Sequence, residues 1–210
     1  MAELALVMLG VFGVSLVARI VIQRRRAGGS GLVGLERGAG LLAWLSGVLF
    51  IVAIAVGASS PLLVVEDSLE TIDRFDGSFG HAVGIVLGGL GIAGVFAAQM
   101  GMGNSWRVGV SGEQDTELVT GGLFSLCRNP IYTAMMAAWI GFALMVPTVP
   151  AIATVVMVFL ALEGTVRLVE EPFMSQAHGD AYAAYQRRVG RFLPGIGTAA
   201  PSRAAPGRRG

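Results

Sequence analysis

Long apolar runs alternate with short polar segments along the chain, and most of the runs are long enough to cross a membrane. Three of them cover residues 4–22, 41–65 and 81–100. Two further runs, residues 131–146 and 151–168, are separated by a Pro-Thr-Val-Pro turn and predict a helical hairpin. Because each crossing needs about 20 apolar residues, the pattern predicts an all-α, polytopic transmembrane helix bundle of about five spans.

The composition supports a membrane location and argues against several kinds of site. Hydrophobic residues make up 54% of the chain and charged residues 14%, which is too apolar for a water-soluble surface. The single cysteine, Cys127, has no disulfide partner, and His81 and His178 lie far apart in the sequence without matching ligands. We therefore expect no metal and no nucleic-acid partner. All 15 basic residues are arginine, which indicates a GC-rich, bacterial genome.

The distribution of charge predicts the orientation of the bundle. Arg24, Arg25 and Arg26 follow the first run, whereas residues 66–76 are mostly acidic. Since arginines favour the cytoplasmic side, the N-terminus should lie outside, and residues 101–129 and the C-terminus should lie in the cytoplasm. We expect an integral protein of the bacterial inner membrane. The apolar runs themselves carry almost no charge that would mark a transport path.

The residues after the hairpin predict a surface helix instead of a further span. Residues 170–189 place Phe173, Tyr182 and Tyr185 among charged residues, which is typical of an interfacial helix or of two short helices broken near Gly179. The predicted fold therefore adds a C-terminal cytoplasmic interfacial helical segment to the bundle.

The chain divides by composition into three parts. Residues 1–100 hold three spans, residues 101–196 hold a core made of a cytoplasmic loop, the hairpin and the C-terminal segment, and residues 197–210 form a polar tail that we expect to be disordered. The third run also carries glycines at four-residue spacing, which allows close helix packing in lipid: Gly80, Gly84 and Gly88.

An anion-binding helix start is predicted at the hairpin's first helix. Asn129 is a favoured N-cap residue and Pro130 a favoured first helical residue. The positive end of this helix would lie beside Arg128, an arrangement suited to a carboxylate or a phosphate. The alternative is that Arg128 only anchors the helix to lipid headgroups.

A second polar cluster follows the last apolar run. Glu170 and Glu171 are adjacent, so on a helix they point in different directions and should not share a partner. Pro172 should end or kink the helix and turn these side chains toward a cavity. The alternative is an ordinary ion pair between Arg167 and Glu171, which are four residues apart.

Taken together, these blocks resemble the isoprenylcysteine carboxyl methyltransferase and phospholipid methyltransferase superfamily. The resemblance covers about residues 99–197. It is carried by four motifs: Leu118-Val119-Thr120-Gly121-Gly122, Arg128-Asn129-Pro130-Ile131-Tyr132, Glu170-Glu171, and the run from Gly179 to Pro194 with its Gly-Asp-Ala-Tyr start and Arg-Phe-Leu-Pro end. Residues 102–110 also look like the bacterial branch of the carboxyl methyltransferases.

The resemblance implies a membrane-embedded enzyme that uses S-adenosylmethionine. It implies a lipophilic or lipidated acceptor that reaches the site from the bilayer, with membrane lipids as surroundings. Arg167 matches a residue that orients the acceptor, here through a carboxyl group. The residues that match the cofactor-binding positions are Leu118, Val119, Phe124, Asn129, Pro130, Tyr132, Glu170 and Glu171.

Two departures from the family pattern and several alternatives remain open. Asn129 replaces a common histidine, which argues against proton transfer there, and Phe124 replaces a common tyrosine. Within enzymes, the acceptor could instead be a phospholipid amine or a small thiol. A sterol reductase fold would need more spans than this length allows, and a membrane scaffold or small transporter is the alternative outside enzymes.

Overall fold

The computed structural model describes residues 1–27, 41–103 and 117–200. Within these ranges the chain is helical and forms no β-strand, although isolated backbone bridges occur. Residues 104–116, in the predicted cytoplasmic loop, and residues 201–210, in the predicted tail, lie outside the described residues. The helices are α1 (Ala2–Ala27), α2 (Leu41–Val65), α3 (Ser78–Gly101), a 3₁₀ turn (Gly122–Ser125), α4 (Pro130–Met145), α5 (Val149–Thr165), a π-helical turn (Val166–Glu170) and α6 (Glu171–Arg188).

Most of these helices are long and apolar enough to cross a membrane. Four such stretches occur among the described residues: Ala2–Arg26, Trp44–Val65, Ser78–Gly101 and Val149–Arg188, the last of which continues from α5 into the charged α6. The 16 residues of α4 span only about 24 Å at 1.5 Å per residue, less than the roughly 30 Å hydrocarbon core. The predicted all-α transmembrane bundle is confirmed.

Two contacts show which helix ends lie together. The backbone N–H of Ile72 donates to the carbonyl of Pro147 over 2.7 Å, so the α2–α3 loop meets the α4–α5 turn. At the other end, Arg19 of α1 donates to the carbonyls of Gln99 and Gly103 at the end of α3. The helices therefore alternate in direction. We call the second end, where α4 and α6 also begin, the α6 end, and the opposite one the hairpin end.

The predicted glycine face of α3 packs closely against α4. A Cβ atom on Gly84 would lie 2.7 Å from the carbonyl oxygen of Gly141 in α4, and one on Gly91 would lie 2.4 Å from the backbone nitrogen of Ala138. A Cβ atom on Gly141 would in turn lie 2.4 Å from the backbone nitrogen of Gly88. Small residues thus let the backbones of α3 and α4 touch, as expected for helices in lipid.

One charged side chain is buried within the first span. Arg19 is only 2% exposed although it lies inside α1. Its guanidinium satisfies carbonyls at the C-terminus of α3, where the helix dipole is negative and the last carbonyls lack helical partners. The arginine therefore joins α1 to α3 at the α6 end.

Candidate active site

Helix α6 is held by aromatic residues against residues 118–122, which we call the lead-in segment. Tyr182, Tyr185 and Val189 form a buried cluster onto which Leu118 packs. The Tyr185 hydroxyl donates to the carbonyl oxygen of Phe124 over 2.6 Å. As predicted, α6 breaks at Gly179, whose φ of 48° suits glycine. The break turns the second half of α6 back over the 3₁₀ turn, so the tyrosines dock α6 instead of anchoring it to lipid.

The start of α4 is covered by the loop that follows α6. The backbone N–H of Arg128 donates to the carbonyl of Gly190 over 2.8 Å, and that of Asn129 donates to the carbonyl of Arg191 over 3.0 Å. The Asn129 side-chain amide donates to the same carbonyl over 3.1 Å, and it makes no cap bond to α4. Asn129 does stand at the N-cap position, but its amide holds the C-terminal loop.

Ordered contacts also reach into the predicted tail. The carbonyl of Gly197 accepts hydrogen bonds from Arg128 at 3.2 Å. The backbone N–H of Ala199 donates to the carbonyl of Gln186 over 3.0 Å. The first residues after position 196 therefore complete the loop around Arg128.

At the centre of this end, one carboxylate lies between two arginines from different segments. Glu171 Oε1 accepts from Arg128 over 2.6 Å, and both Glu171 oxygens accept from Arg191, over 2.8 and 2.9 Å. The Arg128 side chain is 3% exposed and that of Glu171 13%. The hydrogen bonds that Arg191 donates to Glu171 raise the pKa of Arg191 above its ordinary value. Glu171 thus ties the start of α4 to the loop beyond α6.

The neighbouring carboxylate has a separate partner. The hydroxyl of Tyr132, in the first turn of α4, donates to Glu170 Oε1. Glu170 and Glu171 therefore point apart, as their adjacency predicts, and each reaches a different residue of the Arg128-to-Tyr132 motif. The four motifs that carry the sequence resemblance meet at this place.

Arg167 does not form the ion pair with Glu171 that its spacing suggests. It pairs with Glu163, one turn earlier in α5, and its side chain remains 57% exposed. The reason is the π-helical turn at Val166–Glu170, which accommodates an extra residue per turn and rotates Glu171 away from the face of Arg167. Pro172 does not end the helix, which continues from the π-helical turn into α6.

Glu163 links Arg167 to the central cluster. Its Oε1 lies 3.6 Å from Arg191 Nη1. Five side chains therefore alternate in charge from the surface of α5 to the buried start of α4: Arg167, Glu163, Arg191, Glu171 and Arg128. We call this series the charge chain.

Known proteins share this architecture. Residues 79–181, which include α3, α4 and α5, match the family model of phospholipid methyltransferases. The solved structure of the eukaryotic intramembrane Ras methyltransferase ICMT (isoprenylcysteine carboxyl methyltransferase) aligns with a TM-score of 0.57 at 19% identity, covering 87% of this chain and 62% of that one. The family match and the shared fold support placing the chain in the isoprenylcysteine and phospholipid methyltransferase superfamily. The family match begins in α3, about 20 residues before the region of sequence resemblance (residues 99–197).

Two metal-resistance proteins are also similar to this chain in sequence. The cobalt-zinc-cadmium resistance protein CzcN of Cupriavidus metallidurans is 29% identical over 122 residues, which cover 58% of this chain and 54% of CzcN. The nickel-cobalt-cadmium resistance protein NccN of Alcaligenes xylosoxydans xylosoxydans is 29% identical over 106 residues, which cover 50% and 48%. The chain spans about half the length of these relatives. Among its described residues no group of three His, Cys, Asp or Glu side chains could hold a metal ion.

Two members of the charge chain were missed as site residues by sequence reasoning. Arg191 was part of a motif but had no assigned partner, because only the folded loop brings it to Glu171. Glu163 had a signal that went unused: it is a lone carboxylate inside the apolar run of residues 151–168, and such residues are functional candidates in membrane proteins.

Proposed function

We propose that the protein is an S-adenosylmethionine-dependent methyltransferase whose site lies at the α6 end and whose acceptor is lipophilic and arrives from the bilayer. One observation carries the proposal. Glu170 and Glu171 bring the end of α5, the start of α4 and the C-terminal loop together, with the lead-in segment packed alongside. This superfamily has a membrane fold, and the cluster is where its sequence motifs meet.

The polar groups of the cluster fit the amino-acid part of the cofactor. Glu170 and Glu171 offer carboxylates for an ammonium group. The backbone N–H groups of Ile131 and Tyr132 belong to the first turn of α4 and have no helical acceptor, so they suit a carboxylate. Arg128 Nε is buried without a partner among the described residues, which leaves one more donor for that carboxylate.

The apolar residues of the same place suit the adenosyl part. Leu118, Val119 and Phe124 come from the lead-in and the 3₁₀ turn, and Pro130 is buried at the start of α4. S-adenosylmethionine supplies an activated methyl group when it is bound. The residues of the chain then act by binding, orienting and excluding water, and such positioning contributes several kcal/mol to the rate without a nucleophilic side chain.

Two classes of acceptor remain candidates within this proposal. A carboxyl group of an isoprenylcysteine-like molecule is favoured by the exposed Arg167 guanidinium, which would orient it. A lipid amine or a thiol is favoured by Glu163, because its unpaired Oε2 suits a hydrogen-bond donor. In either case we place the N-terminus outside and the site and the C-terminus in the cytoplasm of a bacterial inner membrane, because Arg24–Arg26 end α1 at the α6 end.

Titration calorimetry of the detergent-solubilised protein tests the cofactor. We expect saturable binding of S-adenosylmethionine and S-adenosylhomocysteine, and none of a nicotinamide dinucleotide. Glu170→Gln keeps the shape of the side chain but loses its charge, so we expect affinity to fall about tenfold, as for the loss of a charged hydrogen bond. Glu70→Gln, on the exposed α2–α3 loop, is the matched control. Absence of adenosyl binding in folded protein would refute the proposal.

A further inference from the structure

The lipid-exposed face of α5 leads directly to Glu163. Ile152, Val156 and Phe159 are 42%, 54% and 50% exposed, and they follow one another at helical spacing on one side of α5. Glu163 and Arg167 continue the same line by one and two turns. An amphiphile whose chain lies along this apolar face would therefore bring its polar head to Glu163.

Glu163 is only partly satisfied within the protein. Its Oε1 contacts Arg167 and lies 3.6 Å from Arg191. Its Oε2 is buried and has no hydrogen-bond partner among the residues that the structure describes. A buried acceptor left unpaired is costly, by about 1–3 kcal/mol, so this oxygen is suited to a donor that arrives with a ligand.

The charge chain connects this oxygen to the proposed methyl-transfer site. Arg191 contacts Glu163 on one side and Glu171 on the other. A head group bound at Oε2 would thus lie next to the cluster that is proposed to hold the cofactor. The described members of the charge chain are three arginines and two glutamates. The excess charge is positive, so no cationic ligand is needed to neutralise the charge chain.

We propose that Glu163 selects the acceptor: its Oε2 accepts a hydrogen bond from the acceptor's polar head, so the site takes lipids with an uncharged donor head, such as an amine or a hydroxyl, and rejects carboxylates. This inference rests on the proposed function. A carboxylate head has no proton to donate, so it would leave Glu163 Oε2 unpaired and bring a second acceptor oxygen against it. An ammonium head would meet the two arginines at Oε1, which favours the uncharged form of an amine.

Chain-matched amphiphiles test the selection by binding alone. The full-length protein in detergent, saturated with S-adenosylhomocysteine, is titrated with hexadecanol, hexadecylamine above its pKa, and palmitate. We expect the wild type to bind the two donor heads at least about tenfold more tightly than palmitate, the factor expected for one charged hydrogen bond. Glu163→Gln presents an amide N–H in place of the oxygen, so the preference should shrink by about tenfold or reverse.

Two further variants keep the test decisive. Glu163→Asp retains the charge with a shorter reach and should retain the preference against palmitate, while Glu70→Gln should match the wild type. An equal preference in wild type and Glu163→Gln, or tighter palmitate binding by the wild type, would overturn the inference. Loss of S-adenosylhomocysteine binding by the wild type would instead refute the proposed function, so the two failures are distinct.

Discussion

At the scale of single residues, Glu171 is the side chain that joins most of the site together. It is the acceptor for Arg128 and Arg191, and these arginines come from segments far apart in the chain. Removing one member of a buried ion network leaves the others as uncompensated charges, which costs more than the network itself contributes. The proposed role in binding the cofactor and the role in holding the fold therefore fall on the same carboxylate.

Truncation of Glu171 should show the structural part of this role. We expect Glu171→Ala to lower the free energy of unfolding in detergent by about 3–5 kcal/mol, because Arg128 stays buried without its carboxylate. Denaturant unfolding followed by circular dichroism measures the change. Glu70→Ala, at an exposed position, should change stability by less than about 0.5 kcal/mol. Equal effects of the two substitutions would show that the network does not hold the fold.

The side-chain partners were the least predictable part of the site. The sequence indicated that Glu170 and Glu171 would diverge, and they do. It did not reveal that Arg128 donates hydrogen bonds to Glu171 and to carbonyls of residues 186–197. Those carbonyls belong to the end of α6 and the loop after it, whose path follows from tertiary packing. The assignment of the cofactor-binding residues stays a prediction.

At the scale of helices, glycines of α3 let this helix pack directly against α4, whose first turn belongs to the candidate site. The run of residues 81–100 predicted α3 (Ser78–Gly101) to within a few residues, and Pro130 marked the start of α4, since both signals are local. The π-helical turn at Val166–Glu170 was not predictable from spacing that assumes 3.6 residues per turn. That one turn changes the partner of Arg167.

Two neighbouring glycines of α3 give a matched test of the helix contact. Gly91→Ala would place a Cβ 2.4 Å from the backbone nitrogen of Ala138, so the helices must separate and we expect a loss of about 1–3 kcal/mol in stability. Gly89→Ala meets no described atom within 4 Å and should be neutral or slightly stabilising, since alanine favours the helix. Thermal unfolding in detergent compares them. A Gly91→Ala protein as stable as Gly89→Ala would argue against this packing.

At the scale of the whole molecule, the two ends differ in charge. The hairpin end carries the acidic α2–α3 loop, where the Thr71 hydroxyl donates to Asp76 and lowers the pKa of that carboxyl. The α6 end carries Arg24–Arg26 and the charge chain. Sequence composition could predict this polarity because it depends only on the order of charged segments along alternating helices.

Cysteine labelling in intact cells tests the orientation that this polarity predicts. Ser68→Cys at the hairpin end should react with a membrane-impermeant maleimide added outside, whereas Gln176→Cys in α6 should react only after the membrane is opened. Both positions are exposed, and the native Cys127 is buried, so the wild type serves as the unreactive control. The reverse pattern would place the site outside the cell.

Methyl transfer in membranes that contain the protein tests the proposed activity on a lipophilic acceptor most directly. Membranes from cells with and without the gene are incubated with S-adenosylmethionine labelled in its methyl group, and the lipid extract is counted and separated. We expect label in the lipid fraction that depends on the wild-type protein and falls at least about tenfold with Glu170→Gln. Label absent from the lipid fraction, in membranes where the protein is folded and binds S-adenosylmethionine, would contradict a lipophilic acceptor.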